Sequence, residues 1–349
     1  MLKNKKTIWP SVSVSIATRN SERTLADCLT SVREQNYPSS LEIVIADGGS
    51  IDETLVIAKR FKAKVIPVPE YKQNAEYNKG VAVNNAKNEI ILMIDHDNIL
   101  PHKNWLKKMI TPLLEDEQIF GSGVLRFHYD KKMSLVDRYS ALFGATDPVT
   151  LFFNKSAHQS YLYEGFHLRG EVLKEEKEYF KINLDPKRLP ALGGNGAIFK
   201  RKLLKEAKSS PENFFHIDIH VDLAKKGYTK YAFVKDTIIH LTNNNFIPFL
   251  RRRRYFIEKY HFEDHSKRRY SIYDPAVDKI NLIGFILYSC SIVLPTFDAV
   301  RGFSRIPDFA WFLHPIMCLG ILLIYGITTI KEEAENVFLA GKAGTRNRG

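Results

Sequence analysis

The feature that most restricts this chain is residues 89–98, E-I-I-L-M-I-D-H-D-N, where an unbroken apolar run stops at two carboxylates one residue apart. Residues 89–94 hold no turn former and are too few for a typical helix. They predict a strand buried on both faces, as in a parallel sheet. Ligands of open α/β sheets gather just beyond the carboxyl ends of such strands, so Asp95, His96 and Asp97 are expected where a substrate sits. The dyad offers hard oxygen donors that suit Mg2+ or Mn2+ held against a diphosphate. A D-x-D triplet also occurs in ordinary capped turns, so its neighbours must decide.

Strand and helix patterns alternate around it. Residues 11–18 interleave Val12, Val14 and Ile16 with small residues, the pattern of a first strand. Asn20 or Ser21 can cap the helix that follows, in which Leu25, Leu29 and Val32 recur at i, i+4 and i+7. Residues 41–46 form a second apolar run that closes on Asp47, Gly48 and Gly49, where glycines allow a tight turn and a close approach of backbone to a ligand. Residues 64–68 predict a third strand, and 73–87 a helix leading into the Asp95 strand. Four alternations predict a doubly wound, mostly parallel α/β sheet.

The succession V-S-V-S-I-A-T-R-N, L-E-I-V-I-A-D-G-G-S-I-D-E-T and Y-N-K-G-V-A-V-N-N-A-K-N-E-I-I-L-M-I-D-H-D-N resembles the nucleotide-sugar half of family 2 glycosyltransferases with the Rossmann-like GT-A fold. The resemblance implies that Thr18 and Asn20 flank the nucleoside, that Asp47 holds base or ribose, that Asp95 holds the ribose, and that Asp97 holds the metal. Gly49 and Asn78 fall in the same donor-binding set, and Asp95 is an alternative metal ligand. Tyr77 departs from the pattern, since many relatives carry Arg before the Asn-x-Gly. Gly193, Gly194 and Asn195 look like the family's glycine-rich loop on the acceptor side, although paired glycines also serve plain hairpin turns.

Residues 211–228 resemble the family's acidic motif, which leads into a helix ending at Gly-Tyr. An inverting transfer to a hydroxyl needs a carboxylate to remove the acceptor proton. Asp218 is the expected base. Asp222 is the alternative, because this chain has Ile217-Asp218 where many relatives read Glu-Asp, with a shorter spacing to Gly227. Either acid also suits a helix N-terminus. Residues 231–239 read as a last strand closed by His240, which by the resemblance completes the metal site and favours Mn2+ over Mg2+. Between these motifs, 120–127 is a strand candidate and 130–181 a charged, aromatic-rich insertion, longer than usual, where acceptor specificity is expected. His158 and His167 within it read as solvated loop histidines.

Composition matters through its unevenness. The last quarter carries two apolar blocks, 280–300 and 309–330, each about 30 Å long as a helix and so near the thickness of a bilayer core. They predict a transmembrane hairpin, with Asp298 and Pro295 making a re-entrant first segment the alternative. The formal charge of +12 is concentrated between 251 and 269 and in the tails. Positive charge beside apolar blocks points to an anionic membrane and not to nucleic acid.

Phe246, Phe249, Leu250, Phe256, Ile257 and Tyr260 recur at roughly helical spacing while Arg251, Arg252, Arg253 and Arg254 fill other faces, the make-up of an interface helix that meets membrane or phosphate. Lys and Arg outside the hairpin outnumber Arg301 and Arg305 in its loop, which puts both termini in the cytosol. Cys28, Cys290 and Cys318 are scattered, so no disulfide framework or zinc site is expected. The N-terminus has no signal-peptide pattern, and a cytosolic catalytic body follows.

The expected layout is a tail over 1–10, a GT-A domain over 11–245 with donor half 11–127 and acceptor half 128–245, a basic interface segment over 246–279, the hairpin over 280–330, and a cytosolic tail over 331–349. The expected activity is metal-dependent, inverting transfer from a UDP- or GDP-sugar to a lipid-linked (polyprenyl) glycan at the cytosolic membrane face. The alternatives are a polyprenyl-phosphate glycosyltransferase, a processive polysaccharide synthase and a non-catalytic membrane scaffold.

Overall fold

The alternating N-terminal run and the apolar runs after it become strands of one sheet. The computed structural model describes residues 8–242, 246–263, 265–271 and 273–346. Positions 1–7 of the expected N-terminal tail, 243–245 at the end of the expected GT-A domain, 264 and 272 in the interface segment, and 347–349 of the C-terminal tail lie outside the described residues. Strands β1 (Val12–Thr18), β2 (Leu41–Asp47), β3 (Lys64–Pro67) and β4 (Ile90–Met93) pair in parallel in the order β3-β2-β1-β4. Every residue of β1 and β4 is buried, as strands covered on both faces require. Helices α1 (Glu22–Arg33), α2 (Thr54–Arg60) and α3 (Ala75–Asn84) make the crossovers, and Leu25, Leu29 and Val32 are the buried stripe of α1.

Beyond β4 come β5 (Asn98–Ile99), α4 (Trp105–Glu115) and β6 (Gly121–Phe127), then α5 (Leu135–Phe143), α6 (Pro148–Phe152), β7 (Glu171–Glu175), β8 (Tyr179–Asn183), β9 (Ala197–Lys200), α7 (His216–Lys225) and β10 (Lys230–His240). The sheet continues β4-β9-β6-β10-β8-β7, with β9 antiparallel to both neighbours and β10 parallel to β6.

Two pairings position the site. Ala197 lies opposite Met93, so the loop ahead of antiparallel β9 lands beside the carboxyl end of β4, and Gly196 N–H donates to the Met93 carbonyl at 3.0 Å. The two-residue β5 pairs with the end of β10, His240 opposite Asn98, and Leu241 N–H donates to the Asp97 carbonyl at 3.0 Å. Segments more than a hundred residues apart thus meet at one sheet edge.

The chain divides into two compact units, residues 1–129 with 155–242 and residues 130–154 with 243–349. The first carries the sheet. The second contains α5, α6, α8 (Phe246–Ile257), α9 (Pro275–Ser291), α10 (Val293–Arg305) and α11 (His314–Arg346). Residues 130–154 read from sequence as part of the acceptor half, yet they pack with the C-terminal helices. Arg138 Nε lies 3.0 Å from Asp308, Tyr139 Oη lies 3.0 Å from His314 Nδ1, and the Tyr325 hydroxyl donates to Asp147.

Residues 309–334 form one continuous helical stretch long and apolar enough to cross a bilayer. The first apolar block, 280–300, is not one straight helix: α9 and α10 are bent by 80° at Ile292, whose φ is +56°. A β-branched residue reaches that φ only under local constraint, and Pro295 in the first turn of α10 suits a new helix start. Residues 331–346 of the expected tail continue α11 without a break.

Candidate active site

The end of β2 is built on Asp47. Thr18 stands opposite it in register and donates from Oγ1 to Asp47 Oδ1 at 2.8 Å. The N–H groups of Gly49 and Ser50 donate to Oδ2 at 3.1 and 2.8 Å, and Ser50 Oγ donates to Oδ1 at 2.5 Å. Asp47, only 3% exposed, therefore fixes the turn in which Gly49 adopts φ +83°. Asn20, at φ +50°, joins this turn: its N–H donates to Ser50 Oγ at 2.9 Å and its Oδ1 accepts from Ile51 N–H at 3.0 Å. Asn78 is buried behind Gly48, and its Oδ1 has no hydrogen-bond partner among the described residues.

At the end of β4 the two acids part. Asp95 N–H donates to Asn98 Oδ1 at 3.0 Å, while Asn98 Nδ2 donates to Asn195 Oδ1 at 3.1 Å, so one buried amide ties the D-x-D turn to the glycine loop. Asp95 Oδ1 lies 2.9 Å from Lys79 Nζ. Asp97 Oδ2 faces His240 Nε2 at 3.6 Å, with both side chains largely buried. His96 turns away, its Nδ1 2.9 Å from Thr24 Oγ1. Burial, then the charges of Asp97 and Asp95, push the nearby Cys28 thiol well up, so it stays protonated.

Among the described residues no three His, Cys, Asp or Glu side chains form a complete cation site. Asp97 and His240 bring together two donors of the kind such a site uses. A carboxylate oxygen with an imidazole suits Mn2+, and hard cations commonly take their remaining ligands from substrate phosphates and water.

His158, expected in solvent, is buried. Its ring stacks on Phe127 at 3.9 Å between centroids, and His240 stacks on the same ring at 5.3 Å. Burial, then His240, lowers the His158 pKa to about 3, which keeps it neutral. A strand ending in Phe127 accepts imidazoles on its aromatic surface, a pairing invisible in the loop's own polarity. His167 is exposed, as read, and stacks on Tyr163 at 4.1 Å.

The glycine loop runs between the D-x-D turn and the start of α7. Gly193 has φ +110°, and a Cβ there would fall 2.3 Å from the His216 carbonyl oxygen. Lys79, Asp95, Gly193, Gly194 and Asn195 line one pocket. Asp218, in the first turn of α7, is fully buried. Asp222 is partly buried, and its Oδ2 accepts from Lys208 N–H at 2.9 Å. Two residues of α7 lie beside the loop: His216, held by Glu76 of α3, and His220, whose Nδ1 is 3.1 Å from where a Cβ on Gly193 would be. Sequence reading passed over Glu76, Lys79, Asn98 and His216. Glu76, Lys79 and Gly80 share one face of α3 by their i, i+3, i+4 spacing, which was the available signal. The four arginines of the basic run lie on α8 in the helical unit, where Arg253 packs over Phe249 and Phe256 while Arg251, Arg252 and Arg254 are exposed.

Residues 13–206 match the family described as glycosyl transferase family 2. Glycosyltransferase AglE of Haloferax volcanii is 26% identical over 137 residues, covering 38% of this chain and 45% of that protein. The poly(ribitol-phosphate) beta-N-acetylglucosaminyltransferase TarS of Staphylococcus aureus is 31% identical over 100 residues, covering 27% and 17%. The matches thus span less than half the length of these relatives. Among solved structures, the mannosyltransferase PcManGT from Pyrobaculum calidifontis, in complex with GDP-Man and Mn2+, superposes with a TM-score of 0.50 at 16% identity over 91% of this chain and 87% of that one, a likeness of fold. With the family match covering more than half of its length and the sheet built as described, this chain belongs to glycosyl transferase family 2 and has the GT-A fold.

Proposed function

We propose that the chain transfers a sugar from a UDP- or GDP-linked donor to a hydroxyl of a lipid-linked glycan at the cytosolic face of a membrane. The observation that carries this reading is the convergence of the D-x-D turn, the glycine loop and His240 at the carboxyl end of β4. Asp47, Thr18, Asn20, Gly49 and Asn78 form the nucleoside side of the site, and Asp95 the ribose side. Lys79 adds a fixed positive charge suited to a diphosphate. Asp97 and His240 would hold Mn2+ or Mg2+, which when bound offsets charge on the leaving diphosphate. PcManGT, described with GDP-Man and Mn2+, holds a donor and cation of the class proposed here.

Lipid contact is supported by apolar side chains left exposed on the C-terminal helices, Ile280, Leu287, Val293, Phe297, Ile327 and Ile330 among them. The acceptor proton leaves to a base in the first turn of α7, where the motif reading puts Asp218. Calorimetric titration of UDP- and GDP-sugars with Mn2+ or with EDTA tests the donor half of this account. Donor affinity should fall about tenfold or more without metal and in Asp97→Asn and His240→Ala. Equal affinity in all of these would overturn it.

A further inference from the structure

Phe215, which precedes α7, has no side-chain group to cap the helix. Glu76 of α3 does so from outside: its Oε2 accepts the His216 N–H at 2.9 Å, and the same carboxylate meets His216 Nδ1 at 2.7 and 2.9 Å. The two helices come this close because of Gly80, where a Cβ would lie 2.6 Å from Phe214 Cβ and 2.9 Å from Pro211 Cα. Glu76 is nearly buried while the His216 side chain is 22% exposed. Burial alone would raise the Glu76 pKa, but His216, with Lys79 added, outweighs it and lowers it to about 2. An ionised carboxylate only accepts, so Nδ1 carries the proton and the lone pair of the neutral ring is on Nε2.

Nε2 lies 3.5 Å from where a Cβ on Gly194 would be, so no side chain of that residue stands between the ring and the loop. Gly194 lines the same pocket as Asp95 and Lys79. Asp218, two residues further on, has no exposed surface, and an acceptor could reach it only if the turn opened.

We infer that His216, positioned by Glu76, is the catalytic base that takes the acceptor proton. The inference rests on the transferase reading above. In the step, the acceptor oxygen bonds to the anomeric carbon and its proton passes to His216 Nε2. The bond from that carbon to the diphosphate oxygen breaks, and the nucleoside diphosphate leaves with the electron pair. Glu76 stabilises the imidazolium that forms, as a carboxylate behind a histidine does. Charged or titratable groups close by, among the described residues, are Lys79 on α3 with Asp95 paired to it, Asp218 in the same turn of α7, and His220 one turn along, whose pKa burial lowers to about 4. The glycine residues of the loop bring none.

The test uses the full-length protein in detergent, Mn2+, a panel of UDP- and GDP-sugars, and native membrane lipid extract as the acceptor source. His216→Ala and His216→Gln should each lower kcat for transfer about 100-fold or more while donor Kd stays within about threefold. Glu76→Gln should lower kcat for transfer about tenfold while donor Kd and acceptor KM stay within about threefold, because the carboxylate that orients the ring and offsets the charge formed on it in the step is gone. A merely structural contact would instead change acceptor KM or lower the unfolding midpoint without this selective loss of kcat. Transfer by His216→Gln near the wild-type rate, loss of donor binding in both His216 variants, a large loss in Asp218→Asn alone, or an unchanged kcat in Glu76→Gln would each overturn the assignment. If the wild type binds and turns over no donor, the transferase reading itself fails, an outcome distinct from the others.

Discussion

Asp47 accepts four hydrogen bonds at once, two from backbone N–H groups that cannot turn away and two from hydroxyls that can. Asp47→Asn sets an amide N–H2 against donors and should cost about 2 kcal/mol, read as a lower urea midpoint. An unchanged midpoint would mean the turn is held elsewhere. Glu76 makes a pH prediction. Its pKa is depressed from 4.5 to about 2, so its contribution to stability is complete above pH 4.5 and is lost as pH falls through about 2. Glu76→Gln should therefore flatten the acid limb of a stability profile in that window. Asp47, Asp95, Asp97 and His240 were legible because each closes an apolar run, and polar residues at strand ends stand out locally. His158 and His216 were not, since their partners Phe127 and Glu76 lie 31 and 140 residues away in the chain.

Elements decide which ends meet. Residue periodicity found β1 to β4, β6 and β10 because buried strands announce themselves as apolar runs. It could not show that β9 enters antiparallel between β4 and β6, or that a two-residue β5 clips the end of β10, yet these pairings bring Asn195 and His240 to the D-x-D turn. Gly193 is where that geometry is tightest. Gly193→Ala combines a positive φ with a Cβ 2.3 Å from the His216 carbonyl, and is expected to cost about 2 kcal/mol or more and to depress transfer. Unfolding and turnover at wild-type levels would show that the loop is not seated against α7 in this way.

At the scale of the molecule, the surprise is the discontinuous helical unit. Local patterning read 130–154 as part of an acceptor insertion, but Arg138, Tyr139 and Asp147 find their partners in Asp308, His314 and Tyr325. Helical length and apolarity were legible in 309–330, whereas the 80° bend at Ile292 was foreshadowed only by Pro295 and Asp298. The exposed Arg251 and Arg252 on α8 give the membrane reading its own test. Glu at both positions should weaken binding to anionic vesicles about tenfold or more, given roughly 1 kcal/mol per basic residue, and leave binding to neutral vesicles unchanged. Equal loss on both vesicle types would argue for misfolding over lost charge.

The most direct test of the central claim is release of free nucleoside diphosphate by detergent-solubilised full-length protein, scanned over UDP- and GDP-sugars with Mn2+, with and without native membrane lipid extract, beside Asp97→Ala. The account predicts release from one class of donor that needs Mn2+, rises with the extract, and falls about 100-fold or more in the variant. Absence of release and of donor binding under every condition would contradict it and leave a membrane scaffold built on the family's fold.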